Sequence, residues 1–194
     1  MIFSSSLFLL YFLPVFLLVY HIVPNKIKNW VILIASLFFY AWGAPKFIFV
    51  VVGSVIVDFY LINAMHKSTE RNTQRWLLAI SISINLGLLL YFKYANFFVE
   101  NVNELLFSFG LDAVSWTKVL LPIGISFYTF QTLTYSIDVY RGTHKPLKSP
   151  FQYLVYIMLF PQMIAGPIVR FNEIADQIEN REALETIDNK LLGL

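Results

Sequence analysis

From Ile2 to Val23 the chain carries no Asp, Glu, Lys or Arg. A run of ~20 apolar residues matches the ~30 Å hydrocarbon core of a bilayer at ~1.5 Å rise per helical residue. The run is apolar on all sides, whereas a barrel strand alternates in polarity over ~10 residues. The spanning element is therefore a helix. The run lacks a basic leader and a small-residue cleavage site, and more apolar runs follow it, so it reads as a retained span rather than a signal peptide. The whole chain repeats the message: of 194 residues, 58% are hydrophobic and 13% charged, about half the charge of an ordinary soluble domain. The expected fold class is all-α, a polytopic transmembrane helical protein. It has about five to six membrane segments plus short interfacial amphipathic helices.

The runs follow one another with short polar breaks. Pro14 should kink the first span, and 24–29 is a short basic loop. Trp30–Trp42 is a second run, short for a full span. Phe47–Met65 is the third, 66–75 a polar loop, and Trp76–Phe98 the fourth. Val102, Leu105, Leu106 and Phe109 then form one stripe, closed by Gly110, which predicts a short helix lying along the membrane surface. Val119–Tyr140 is the fifth span and 141–149 a basic loop. Phe151–Val169 is apolar but interrupted at Pro161 and at Gly166-Pro167. Residues 1–171 thus form a transmembrane region. Residues 172–194 form an acidic amphipathic segment, which holds six of the twelve acidic residues and has Ile174, Ile178, Leu184, Ile187 and Leu191 as its apolar positions.

Orientation follows from Lys and Arg. One side holds Lys26, Lys28, Lys67, Arg71, Arg75, Arg141, Lys145 and Lys148; the other holds Lys46, Lys93 and Lys118. Eight against three makes the first side cytoplasmic and puts the N-terminus outside. No basic run is interleaved with exposed aromatics, so no nucleic-acid partner is expected. The 19 Phe and 11 Tyr read as lipid-facing and interfacial residues. The chain has no cysteine, which excludes disulfides and thiolate chemistry. No two of His21, His66 and His144 have helical i, i+4 spacing, so no metal site is expected.

Few residues inside the spans could carry chemistry. Asp58, in the middle of the third span, is either a relay or substrate contact or a protonated or paired structural group. Lys93, between Tyr91 and Tyr94, snorkels to the headgroups. The fifth span is the most polar. At ~100° per residue, Gln131, Thr134, Tyr135 and Asp138 share one face and Ser126, Thr129 and Ser136 another. Such faces require burial among other helices. They serve either interhelical hydrogen bonding or the lining of a polar passage, and residue chemistry alone leaves both open. Asp138 and Arg141, three apart, can pair.

Three separated runs carry a resemblance: Leu121-Pro-Ile-Gly-Ile-Ser-Phe-Tyr-Thr-Phe-Gln131, Ile137-Asp-Val-Tyr-Arg-Gly142, and Phe160-Pro-Gln-Met-Ile-Ala-Gly-Pro-Ile-Val-Arg-Phe171. They resemble the membrane-bound O-acyltransferases, in particular the alginate O-acetyltransferase branch. Phe38-Phe-Tyr-Ala-Trp-Gly43 and Tyr91-Phe-Lys-Tyr-Ala-Asn-Phe-Phe98 also fit that branch. A sister branch that transfers D-alanine toward lipoteichoic acid shares the fifth-span motif. Gln162, Ala165 and the Ile168-Val169-Arg170 tail favour the acetyl branch.

The resemblance implies a multi-span enzyme of the bacterial cytoplasmic membrane, surrounded by lipid. It would move acetyl groups, with acetyl-CoA as donor and no bound cofactor, to an extracytoplasmic polysaccharide such as alginate. It implies extracytoplasmic acetyltransferase partner proteins and marks Pro161, Gly166, Pro167 and Arg170 as motif residues. It also implies a catalytic His acting as general base, placed in the family well past the Gly-Pro motif. No His of this chain matches that position, so none is assigned a catalytic role. The chain is expected to be the N-terminal portion of such an enzyme and inactive alone. The competing expectations are D-alanyl transfer to a cell-wall polymer and a non-enzymatic membrane scaffold or transporter subunit.

Overall fold

The computed structural model describes residues 5–165 together with Phe171 and Ile178. Among these residues the chain is all-α, with no strand. A π-helical turn, Phe8–Phe12, leads into α1 (Leu13–Ile22), followed by α2 (Asn25–Gly43), α3 (Ile48–Lys67), α4 (Arg71–Ser108), α5 (Ile125–Arg141), α6 (Pro150–Met158) and α7 (Phe160–Ala165). The break expected at Pro14 takes the form of that wide turn: the Leu13 amide bonds to the Phe8 carbonyl, and Pro14 sits in the first turn of α1. Helix precedes Pro14, so its missing amide leaves a carbonyl of the preceding turn without its usual partner, and the wide turn accommodates the ring.

Several boundaries differ from expectation. Lys26 and Lys28 are the first turn of α2, not a loop, because Pro24 starts that helix from an extended conformation. The run that began at Trp30 therefore gains a turn and becomes a helix of 19 residues. The loop at 66–75 shrinks to 68–70. The separate surface helix does not exist. With no Gly or Pro between Arg71 and Ser108 except Gly87, α4 runs unbroken for 38 residues and carries Val102, Leu105 and Leu106 as its own last turns.

The chain then returns along α4. Asn96 donates to the Val119 carbonyl (2.7 Å) and accepts from the Val119 amide (2.9 Å), and Asn103 pairs in the same way with Val114 (3.2 and 2.8 Å). Seven residues apart, the two asparagines share a helix face and hold the returning segment. The fifth span consequently starts six residues late. Val119–Gly124 is not helical, because Asn96 holds Val119, Pro122 lacks an amide, and Gly124 adopts a left-handed φ of 78°.

α4 packs on α3 and α5, and α6 packs on α2 and α3. One core joins them, containing Val51, Val55, Ile62, Tyr135, Tyr153 and Tyr156. Ile178, from the acidic segment, belongs to it, and its carbonyl accepts from Asn29 Nδ2 at 3.1 Å.

Among the described residues two helices, α3 and α4, are long and apolar enough to cross a membrane, against the five to six segments expected, with mean hydropathies of 2.1 and 1.6 over their apolar windows. Only 33% and 17% of their apolar windows are buried, so most of each points outward. Phe49 is 81% exposed, Trp76 71% and Leu10 69%. So much apolar surface far exceeds what a soluble monomer presents to water; a lipid surround removes the conflict. The protein is a membrane protein.

Candidate functional site

The polar helix α5 sits among α3, α4, α6 and α7. Its entry is fixed by Gly124: a Cβ there would run into the Met163 carbonyl of α7. Its exit is Gly142, at φ 76°, where the Gly142 and Thr143 amides cap the Val139 and Asp138 carbonyls.

The four residues expected on one face part company. Gln131 is 4% exposed, and its Nε2 donates to the Tyr156 carbonyl and to Gln162 Oε1, both at 3.1 Å. Tyr135 is 1% exposed; its Oη accepts from the Leu147 amide at 2.7 Å, and its ring lies 4.9 Å from Tyr153 and from Phe171. Thr134 is exposed and returns its hydroxyl to the Gln131 carbonyl. Asp138 is half-buried at the end of α5 and makes no ion pair with Arg141 among the described residues. On the other face, Ser136 donates to the Thr132 carbonyl and touches Ser81 Oγ at 3.4 Å.

The broken segment explains what Gln131 does. The chain leaves helical geometry at Leu159 (ψ 110°), not at Pro161. Pro161 is exposed and occupies the second position of α7, where its missing amide costs nothing. The break separates the Tyr156 carbonyl from the Phe160 amide, which would pair in a continuous helix. Gln131 of α5 takes the carbonyl, and Ser36 Oγ of α2 accepts from the amide at 3.2 Å. An interrupted backbone at membrane depth needs such cover. Gly166, Pro167 and Arg170 lie outside the described residues.

Asp58 proves to be paired. Its residue is 1% exposed; Oδ1 accepts from Ser81 Oγ and from Asn85 Nδ2 (3.1 Å), and Oδ2 accepts from Tyr153 Oη (2.7 Å). One carboxylate thus joins α3, α4 and α6. Ser81 and Asn85, at i and i+4 on one face of α4, were the sequence signal for this cluster.

Of the three histidines, His21 and His66 are exposed, and His144 lies edge-on to Phe171 at 5.8 Å. Among the described residues no group of His, Asp or Glu is placed to hold a metal. A wholly apolar groove of about 580 Å³ runs between α1 and α2, lined by Tyr11, Val15, Phe38 and Trp42 among others, and none of the polar residues above borders it.

No family model and no solved structure matches the chain. Curated relatives do. A probable alginate O-acetylase AlgI of Pseudomonas aeruginosa is 42% identical over 184 residues, covering 93% of this chain and 35% of that protein. Its counterpart in Pseudomonas putida is 41% identical, with 93% and 38% covered. A peptidoglycan O-acetyltransferase of Helicobacter pylori is 30% identical, with 93% and 39% covered. The chain spans between a third and two fifths of the length of these relatives. Over 93% of its length the chain is similar to alginate O-acetylases, which supports the alginate branch of the membrane-bound O-acyltransferases.

Proposed function

We propose that this chain is the N-terminal membrane portion of an O-acetyltransferase that passes acetyl groups to an extracytoplasmic polysaccharide. The observation that carries the reading is the identity of about two residues in five with alginate O-acetylases across nearly all of the chain. In this reading it crosses the cytoplasmic membrane in five or six segments with the N-terminus outside. Acetyl-CoA supplies the acyl group from the cytoplasm, and extracytoplasmic acetyltransferase proteins complete the transfer. The general base is a His downstream of these residues. α5 and the α6–α7 break form part of the passage wall, with Gln131 holding the break in shape and Asp138 at one end.

Alginate is the first acceptor to test, because the Pseudomonas relatives are named probable alginate O-acetylases. The Helicobacter relative supports peptidoglycan as a second. The decisive measurement is ester-linked acetate on secreted polysaccharide and on peptidoglycan after deletion of the full-length gene, with D-alanyl esters measured alongside. Loss of acetate from one polymer, restored by the full-length gene, supports the proposal and names the acceptor. Unchanged acetate with lost D-alanyl esters would move the enzyme to the sister branch. No change in any ester would leave the scaffold reading standing.

A further inference from the structure

The apolar groove of about 580 Å³ runs along the hairpin that α1 makes with α2. It extends from Leu7 to Val19 on one side and from Val31 to Trp42 on the other. Twelve residues at ~1.5 Å each make it ~18 Å long. The Val19 and Val31 end lies toward the connection at Val23 and Pro24, and the Leu7 and Trp42 end lies away from it. Side-chain size shapes the channel. Val15 and Ala35 are short, and four rings stand in series beside them. The rings are Phe16, Phe12, Phe38 and Trp42, with successive centroids 6.4, 6.3 and 5.7 Å apart.

Chemistry and width decide what fits. No lining side chain except Tyr11 and Trp42 carries a polar atom. A polar or charged guest would give up its water without gaining a hydrogen bond. The volume spread over the length leaves a cross-section of ~30 Å². A helix with its side chains is ~10 Å across, more than twice that area, so a helix does not seat in the groove, whereas one hydrocarbon chain does. A methylene fills about the volume of a water, ~30 Å³, so the groove holds on the order of one lipid acyl chain. Its length is also close to the ~15 Å of hydrocarbon in one leaflet, half of the ~30 Å core.

The groove is continuous with the lipid-facing surface. Leu10 and Leu18 beside it are 69% and 61% exposed, and Ile34 and Trp42 on its rim are 61% and 57% exposed. Trp42 lies one residue before the end of α2, and a Trp at a span end suits the headgroup level. We propose that the groove binds one acyl chain of a phospholipid from the leaflet at the Trp42 end. The chain enters beside Trp42 and lies along Ala35 and Val15 toward Val19, so it is retained when the surrounding lipids exchange. The proposal rests on the reading in which α1 and α2 cross the bilayer.

The test uses the full-length protein in nanodiscs of a phospholipid with a diazirine in one acyl chain. Samples are irradiated before and after washing with detergent, and adducts are mapped by mass spectrometry. Before washing, the groove residues Val15 and Phe38 and the outward-facing Leu18 and Phe49 should all be labelled. After washing, Val15 and Phe38 should keep their adducts at least ~5-fold better than Leu18 and Phe49, the ratio given by burying one or two more methylenes. Ala35→Trp, which fills the groove, should bring retention at Val15 and Phe38 down to that at Leu18. If Ala35→Trp does not fold, Val15→Trp is read at Phe38; if neither folds, the parental comparison decides. Label at Leu18 with none at Val15 and Phe38 would mean that protein covers the groove. Loss of all four adducts together would mean exchangeable boundary lipid. Either result overturns the proposal while leaving α1 in the membrane, and so does full retention in the filled variant. No label at Leu18 before washing would instead remove α1 from lipid, and the proposal would fall with that reading.

Discussion

Asp58 shows how a costly residue becomes a structural one. A carboxylate within a span is tolerated where donors surround it, and three donors from two other helices do so here. Interhelical hydrogen bonds in membranes average ~0.6 kcal/mol each. Asp58→Leu should therefore lower stability by ~2 kcal/mol, three such bonds, and Tyr153→Phe by about a third of that. Denaturant titration in detergent micelles checks both, and an Asp58→Leu midpoint equal to the parental one would remove the cluster from the account of stability. The two helix-bounding glycines predict a contrast. Gly124 and Gly142 both have left-handed φ, but only at Gly124 would a Cβ strike backbone, the Met163 carbonyl. Gly142→Ala should cost ~1 kcal/mol from the conformation alone. Gly124→Ala should cost clearly more, because α7 must also shift. Equal losses in the same titration would show that the α5–α7 approach is not tight.

Among the elements, α5 and the α6–α7 break define each other. The break strands one carbonyl and one amide, and Gln131 and Ser36 take them. Gln131→Leu should thus act first on stability, by ~1 kcal/mol for a lost bond and an uncovered carbonyl. Asp138 is the better probe of a passage. It is half-buried and unpaired with Arg141 among the described residues, so Asp138→Asn should leave the fold intact. In the full-length enzyme, acetylation should then drop at least ~10-fold, or ~1.4 kcal/mol on the barrier. A folded Asp138→Asn enzyme working at the parental rate would take Asp138 out of the passage. α4 carries a different lesson. Its apolar stripe beyond Asn101 reads as a separate helix in sequence, yet nothing between Phe98 and Asn101 can end a helix. The helix ends only at Gly110, whose left-handed φ lets the Gly110 and Leu111 amides cap the Phe107 and Leu106 carbonyls, and Asn96 and Asn103 hold the segment that returns.

At the scale of the whole molecule, Lys26 at the start of α2 and the connections at Ser68 and Thr143 should face the cytoplasm and those at Lys46 and Asp112 the outside, on the eight-to-three bias of Lys and Arg. Single cysteines at these five positions, labelled in intact cells with an impermeant maleimide, read the topology. Labelling of the second group alone is expected, and labelling of two or more of the first group reverses the orientation. The chain by itself should show no acetyl-CoA turnover. A general base must reach the hydroxyl it activates, and His21 and His66 are exposed while His144 packs edge-on against Phe171. Turnover by the purified chain that disappears on replacing one of these histidines would refute this.

Sequence by itself determined the solvent and the class of element, because a charge-free run as long as a bilayer is thick has few alternatives to a helix in lipid. It placed α3 to within two residues and the ends of α2 and α5 to within one, at Gly43 and Gly142, but missed the starts of α2 and α5 and both ends of α4 by five residues or more. A family resemblance was legible in three runs of residues, and alginate O-acetylases are similar over 93% of the chain. Tertiary structure alone decided which polar residues meet. Helical periodicity puts Gln131, Thr134, Tyr135 and Asp138 on one face, but it cannot say that α6 and α7 cover the first and third while the second stays exposed. Nor can it join Asp58 to Tyr153, 95 residues away. Hydrophobic patterning is a property of each helix and its surroundings, readable along the chain. A hydrogen bond between helices depends on their relative rotation and depth, which are fixed only when the whole bundle packs.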